Sequence, residues 1–302
     1  MTVLVFLDPE FPNGRLADAS EPQLMATDLG ATRGDGIFES MLAVDGSPRK
    51  MDAHLDRLAS SAQALELDPP ARGDWERAVT TALAELTRRE GTGEGAGDGT
   101  GEAIVKLLLT RGIEGAHSPT AWVAASAVPA GMRERAADGV SVLLLDRGYD
   151  STLAERAPWL LLGAKTLSYA VNMAALRYAK ANGADDVIFT SSDGKVLEGP
   201  TSSVILAVEE DGVKMLLTPE LESGILPGTT QRALFDAAEA AGWARGYGPL
   251  EPAHLMEADG VWLVSSIRLL APVTSIDGTP ISSSPALTEE LTALLRGALA
   301  EG

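Results

Sequence analysis

The sequence predicts a mixed α/β (α+β) fold in two domains, and three observations carry that prediction. Helix-period and strand-like segments alternate along the chain. Two pairs of apolar segments flank Asp-Gly turns, SSDG at Ser191 to Gly194 and EEDG at Glu209 to Gly212. The chain has 302 residues, about two domains' worth of length. Hairpins of this kind argue against a doubly wound parallel sheet, whose strands are joined through helices.

Taken in order, strands are expected near Val3 to Leu7 and Ile37 to Val44, followed by a helix from His54 to Leu65. In that helix Leu55, Leu58, Ala62 and Leu65 recur at three and four residues, which makes one apolar face. A second helix, about Trp75 to Arg89, leads into the strand AIVKLLLTRG, which is expected to pair with TAWVAASAV at Thr120 to Val128. Between them GTGEGAGDGTGE, Gly91 to Glu102, is too rich in glycine to pack and reads as a surface loop. The polar stretch PAGMRERAADG, 129–139, reads as the connection between a small N-terminal α/β domain, 1–128, and a larger C-terminal domain, 140–302. The second domain opens on the strand VSVLLLD. It continues into WLLLGAKTLSY (Trp159 to Tyr169), an apolar run read as a strand entering a core. A helix from Ala170 to Asn182 ends at Gly183, a residue suited to a left-handed cap. The two hairpins follow, DVIFT with KVLE and SVILAV with VKMLLT. Then come a helix from Gln231 to Ala241, two short strands in GVWLVSSIRLLAPVTSIDG, and a C-terminal helix.

Composition narrows the chemistry. The formal charge of −19, from 24 basic and 43 acidic residues, argues against a nucleic-acid surface and suits a cytoplasmic protein. No apolar run approaches the roughly 18 residues that span a bilayer, so no membrane partner is expected. The opening MTVLVFLDPEFPNG lacks the marks of a signal peptide. Cysteine is absent, which excludes disulfides and thiolate catalysis. Three unclustered histidines, His54, His117 and His254, predict no metal site.

Against this background Lys165 stands out. The chain has six lysines, and one follows an apolar run. A lysine there either snorkels outward from a strand end or, if buried, finds a covalent use such as a Schiff base. Two further features bear on the choice. In ILPGTTQRAL, Gly228, Thr229 and Thr230 open a helix, which is either an ordinary N-cap or an anion site built from backbone N–H groups and two hydroxyls. In KVLEGPTSSV, Glu198 ends an apolar strand, as a solvated edge carboxylate or as a partner for a protonated ring nitrogen. A lysine, an anion grip and a carboxylate together match what pyridoxal phosphate needs. Arg57, in HLDRL, offers a cation for the phosphate or is a surface charge between core positions.

RGDGIFES, HLDRL, AKTLSYAVNMAALRYA, LEGPTSSV, ILPGTTQRAL and WLVSSIRLLAPV, in that order from Arg33 to Val273, resemble the class IV (fold type IV) pyridoxal-phosphate enzymes. That group includes branched-chain and D-amino-acid aminotransferases and 4-amino-4-deoxychorismate lyases. The resemblance implies a small N-terminal domain and a larger C-terminal cofactor-binding one, with pyridoxal 5′-phosphate between them, and a homodimer. It implies that Lys165 is the catalytic residue that carries the cofactor, that Glu198 partners the pyridine nitrogen, and that Arg57 pairs with the phosphate. Leu226, Gly228, Thr229 and Thr230 match the loop and helix start that hold ring and phosphate, and Ser266 and Ile267 match a second phosphate loop. Tyr169 matches a tyrosine near the cofactor's phenolic oxygen.

The substrate is expected to be a small amine, and two outcomes share one proton shuttle at the lysine. Arg111, in a strand resembling the lyases' Arg-Gly strand, is a candidate for a substrate carboxylate. Gly115-Ala116-His117 keeps the histidine of an Arg-Ala-His trio in D-amino-acid aminotransferases but not its arginine. Phe38, on the substrate side, is followed by Glu39, a more transaminase-like feature. Ser168 and Ile267 replace the asparagine and threonine of many members. The resemblance places 4-amino-4-deoxychorismate lyase first, releasing pyruvate and 4-aminobenzoate, with a class IV aminotransferase as the alternative. A catalytically dead binding or scaffold homologue is the non-enzyme alternative.

Overall fold

A computed structural model describes residues 1–91 and 101–300. The glycine-rich segment expected to be a loop falls largely on 92–100, outside the described residues. The chain divides into two compact units, Met1–Ala130 with Ala164–Tyr169, and Gly131–Gly163 with Ala170 onward.

In the first unit, β1 (Thr2–Phe6), β2 (Arg15–Ala17), β3 (Gly36–Val44), β4 (Ser47–Pro48), β5 (Glu102–Thr110) and β6 (Thr120–Ala127) form one sheet. Their order is β2-β1-β6-β5-β3-β4, and every pairing is antiparallel. The expected β5–β6 pairing runs in register from Ala103↔Ala127 to Thr110↔Thr120. A short helix α1 (Leu29–Arg33) precedes β3, and α2 (Met51–Ala64) and α3 (Arg72–Gly91) pack on the sheet. The apolar period foreseen in α2 is real, because Leu55, Leu58 and Ala62 are all buried. Along β3 the alternation of side chains puts Ile37, Glu39 and Met41 on one buried face and Phe38 on the other.

In the second unit the sheet runs β11 (Ala244–Gly248), β10 (Val213–Pro219), β9 (Ser203–Glu210), β12 (Gly260–Ser265), β13 (Leu269–Ile276), β7 (Val140–Asp146), β8 (Asp186–Thr190), with β14 (Thr279–Pro280) beside β13. Parallel pairs join β10 to β11, β13 to β7 and β7 to β8; the others are antiparallel. At the β9–β10 turn Asp211 and Gly212 both have positive φ, 52° and 77°, the conformation that Asp-Gly supplies most readily. The other Asp-Gly turn also returns the chain, with Leu197 N–H donating to Phe189 O, yet only Val196 bridges to Thr190, so KVLE is a loose return. Helices α4 (Met132–Ala137), α5 (Leu153–Arg156), α6 (Ala170–Ala181), α7 (Thr229–Ala240), α8 (Pro252–Glu257) and α9 (Pro285–Ala300) complete the unit. One core layer gathers Leu234 and Phe235 of α7, Leu291 and Leu295 of α9, and Trp262 of β12. Another holds Val142, Leu206, Leu263 and Ala271 with Leu255 of α8.

Two local expectations differ. Residues 129–139, expected as a connection, contain α4, whose Ala136 is buried in the second unit's core beside Val140. The stretch Trp159 to Leu162 is not a strand. Pro158–Leu160 is a single 3-10 turn that leaves Trp159 73% exposed. Proline fixes φ and removes a donor, which favours a turn where hydrophobicity alone suggested a strand.

Phe235 is fully buried in the α7–α9 layer. Phe235→Ala is expected to destabilise the second unit by about 3–5 kcal/mol, the usual cost of the cavity left behind. Urea unfolding followed by tryptophan fluorescence reads this directly.

Candidate active site

In the first unit the candidate residues gather around Lys165. The 164–169 segment lies along β3, where Phe38 N–H donates to Lys165 O (3.0 Å), Ile37 bridges to Thr166, and Leu167 N–H donates to Gly36 O (2.7 Å). On the other side Lys165 N–H donates to the Ser61 hydroxyl of α2 (3.1 Å). The lysine backbone is thus pinned between a strand and a helix. Its Nζ lies 4.4 Å from the Phe38 ring centre and 5.8 Å from that of Tyr169, with the two rings edge to face at 5.3 Å. Lys165 therefore does not snorkel from a strand end; its ammonium is held against aromatic faces.

Behind Phe38, on the opposite face of β3, sits a charge cluster. Glu39 is wholly buried. Arg57 Nε donates to its Oε1 (2.7 Å) and Arg57 Nη2 to its Oε2 (2.8 Å), while His54 Nδ1 lies 2.7 Å from Oε2. His54 and Arg57 are three residues apart on α2, so both reach the same carboxylate. Arg57 is not the surface charge its position between core residues allowed, since its side chain is only 9% exposed. Burial works to raise the Glu39 carboxyl pKa. The charge and hydrogen bonds of Arg57, with the His54 hydrogen bond, outweigh burial and bring it down to about 2. Burial, more than the opposing pull of Glu39, lowers the His54 pKa, so its ring is neutral near pH 7. An ionised carboxylate only accepts, so Nδ1 is the ring nitrogen that carries the proton. The legible trace of this cluster in the sequence is strand parity: Glu39 occupies the apolar phase of β3, between Ile37 and Met41. A charged residue in that phase needs a buried partner.

The second unit holds its own group of candidate residues. Helix α7 starts at Thr229 rather than at Gln231, and no side chain caps it. The Thr229 and Thr230 hydroxyls turn instead toward Ser266 Oγ, at 3.3 and 2.9 Å. Gly228 passes so close to Ser203 that a β-carbon there would lie 2.3 Å from Ser203 Oγ. Three hydroxyls meet at this helix start, and Gly228, rather than either threonine, is the N-cap residue, so the reading of these threonines as ordinary caps does not hold. Ser266 and Ile267 sit in the three-residue turn between β12 and β13. That turn is closed by Leu269 at φ 65°, a strained conformation for leucine. The Ile267 carbonyl accepts from Arg133 of α4, a contact the sequence did not suggest. Glu198 is half-buried, and one of its oxygens, Oε2, accepts from Leu226 N–H at 3.1 Å, so the carboxylate is oriented rather than solvated at an edge.

Two substrate-side expectations fare differently. Arg111 is engaged elsewhere: Nε and Nη2 grip Asp35 (2.6 and 3.2 Å), while Nη2 and Nη1 also donate to the Leu65 and Glu66 carbonyls (2.7 and 3.3 Å). It ties the end of α2 to the start of β3, as a cation at a helix C-terminus does. His117 is exposed on the turn between β5 and β6.

The comparisons with known proteins agree with this geometry. The class IV amino-transferase family model matches residues 36–276. The chain is 44% identical over 276 residues to a bifunctional aminodeoxychorismate lyase / D-amino acid transaminase of Mycobacterium tuberculosis, covering 90% of this chain and 92% of that protein. Among solved structures, the PLP-bound form of a hypothetical aminotransferase from M. tuberculosis superposes with a TM-score of 0.88 at 41% identity, covering 100% of this chain and 99% of that one. The fold IV transaminase CpuTA1 of Curtobacterium pusillum gives 0.87 at 44% identity, covering 98% and 99%. The fold is therefore that of a type IV pyridoxal-phosphate enzyme. The chain belongs to the class IV aminotransferases, and it is a pyridoxal-phosphate-dependent enzyme of the lyase and aminotransferase group.

Because the Glu39 carboxyl has a folded pKa of about 2 against an ordinary 4.5, its stabilisation is complete above pH 4.5 and is lost as pH falls toward 2. The wild-type protein is expected to exceed Glu39→Gln in stability by on the order of 3 kcal/mol at neutral pH. The gap should narrow on acidification below about pH 4.5. Thermal midpoints of both proteins across pH test this, and a gap independent of pH would contradict it.

Proposed function

We propose that this protein is a 4-amino-4-deoxychorismate lyase that also transaminates D-amino acids, with Lys165 as its proton shuttle. The observation that carries the reading is the Lys165 setting, with its backbone pinned by β3 and α2 and its Nζ against Phe38 and Tyr169. The 44% identity to a bifunctional lyase and D-amino acid transaminase directs the choice of reaction.

The residues present fit pyridoxal phosphate, because an uncapped helix start with three converging hydroxyls and an oriented buried-edge carboxylate supply what its phosphate and ring nitrogen require. When bound, the cofactor supplies a reactive carbonyl and an electron-withdrawing ring that stabilises charge at the substrate's amine-bearing carbon. Lys165 would be the residue that attaches it. Thr229, Thr230, Ser266, Gly228 and the backbone at Ile267 would hold the phosphate, with the Arg57 guanidinium as a directional donor to it. Glu198, aimed by the Leu226 N–H, would keep a proton on the ring nitrogen, with Leu226 beside the ring. Tyr169 would serve the phenolic oxygen, and Phe38 would form an aromatic wall for the substrate. Lys165 Nζ would remove the proton from the carbon that bears the substrate amine. In the lyase reaction, loss of that proton lets the ether C–O bond to the three-carbon acid break with its electron pair; the departing enol takes up a proton as pyruvate, and the ring is left aromatic as 4-aminobenzoate. In transamination, Lys165 would carry the same proton. The fork between the two lies in the substrate, because the first step needs the same base.

We also place the enzyme in the cytoplasm, in the folate pathway, as a homodimer. Among the described residues no helix is long and apolar enough to cross a membrane. Trp159 on the 158–160 turn and Val171 and Tyr178 on one face of α6 stand 73%, 59% and 55% exposed, large apolar side chains that a second copy would cover.

Purified protein with added pyridoxal phosphate is expected to be yellow, with a visible band that borohydride bleaches. Peptide mapping after reduction should then find the pyridoxyl group on Lys165, and Lys165→Ala should lose both the band and the turnover. Supplied with 4-amino-4-deoxychorismate, the enzyme should release 4-aminobenzoate and pyruvate in equal amounts, and D-alanine with 2-oxoglutarate should give slower pyruvate formation. Rapid keto-acid formation with no aromatic product would overturn the lyase assignment. Sedimentation velocity should show a dimer that Trp159→Glu with Val171→Glu shifts toward monomer.

A further inference from the structure

We infer that Glu39 is a positioning residue for phosphate recognition, setting the Arg57 guanidinium in one orientation while His54 fixes Glu39. The inference deepens the proposed function and rests on Arg57 being a phosphate ligand.

The geometry carries it. Arg57 is a long side chain whose charged end would otherwise sample many rotamers, and freezing such a chain costs conformational entropy. Here Nε and Nη2 are both seated on the Glu39 carboxylate, at 2.7 and 2.8 Å, in the two-pronged arrangement that fixes the plane of the guanidinium as well as its place. The cost of ordering is met in the folded protein, before any ligand arrives. Glu39 in turn has few ways to move. It is wholly buried on β3, a strand paired along its whole length with β5, and its Oε2 also accepts a hydrogen bond from His54 Nδ1, 2.7 Å away. His54 is itself 2% exposed and lies on the same helix as Arg57. The three side chains therefore lock β3 to one face of α2. Electrostatics point the same way. Glu39 offsets most of the charge of a buried arginine and holds its guanidinium in one plane. A group whose only task was to stabilise the core would be served as well by apolar side chains of the same volume.

The experiment measures binding of pyridoxal phosphate and of pyridoxal, which lacks the phosphate, to the cofactor-depleted protein. Absorbance titration reads both, and the ratio of the two dissociation constants isolates the phosphate contribution. For Glu39→Gln the pyridoxal phosphate constant is expected to rise about 10- to 100-fold, the range seen when the outer partner of a metal ligand is removed. Pyridoxal binding should change by less than about twofold, within ordinary mutational scatter. Glu39→Asp, which keeps the charge but withdraws it by one methylene, should shift the ratio in the same direction and by less. The phosphorus NMR signal of bound pyridoxal phosphate should be insensitive to pH in the wild type and titrate in Glu39→Gln.

Equal weakening of both ligands in the Glu39 variants would make Glu39 merely structural and overturn the inference. An unchanged ratio in both variants would also overturn it. Arg57→Gln separates the layers of the argument. If Arg57→Gln collapses the ratio while the Glu39 variants do not, Arg57 holds phosphate without help and only the positioning role fails. If Arg57→Gln leaves the ratio unchanged, the reading of Arg57 as a phosphate ligand fails and takes the inference with it.

Discussion

A carboxylate with no solvent contact, clasped by one arginine and one histidine, is the constraint on which the first unit depends. Removing Glu39 from water is tolerable only because Arg57 and His54 meet it at hydrogen-bond distance. Those partners come from one helix, so the register of α2 against β3 is set by charge geometry as well as by Leu55, Leu58 and Ala62. Breaking such a buried pair on one side costs about 3–5 kcal/mol in general, because the remaining charge is stranded. An apolar helix face slides easily past a sheet, whereas a two-pronged ion pair does not.

The same strand serves a second purpose through its parity. Phe38 faces away from the charge cluster, toward Lys165 and Tyr169. The segment 164–169 is far from β3 in sequence, yet it adds to that strand's edge through backbone hydrogen bonds at Phe38 and Gly36. The placement defines Lys165 closely: its backbone is fixed and its side chain lies against aromatic carbon. In the second unit, the corresponding economy is at α7. Its first turn carries no side-chain cap, and the hydroxyls that might cap it converge on Ser266. A helix start without a cap is costly unless something else takes up its N–H groups.

The class IV aminotransferases, to which the chain belongs, share one cofactor chemistry. Within that family a single base-catalysed step opens onto either transfer of an amine or expulsion of a leaving group. A relative named for both activities fits the expectation that the machinery is shared and that the substrate decides the outcome.

The motifs, their order and the main periodic elements were determined by the sequence alone: the α2 face, the β5–β6 pair, the Asp-Gly hairpin at 211–212, the positive-φ glycine at 183, and the run of short signatures around Lys165. These are local features, set by side-chain period and by residues that tolerate positive φ. Tertiary structure decided the rest. It made 158–160 a turn and not a strand, folded 132–137 into a helix, and gave Arg111 to Asp35 and the end of α2. It also turned Glu39 and His54 from isolated letters into the holders of Arg57. Those outcomes turn on which distant groups meet, and a charged side chain takes its role from the partner that neutralises it, which its neighbours in the chain do not reveal.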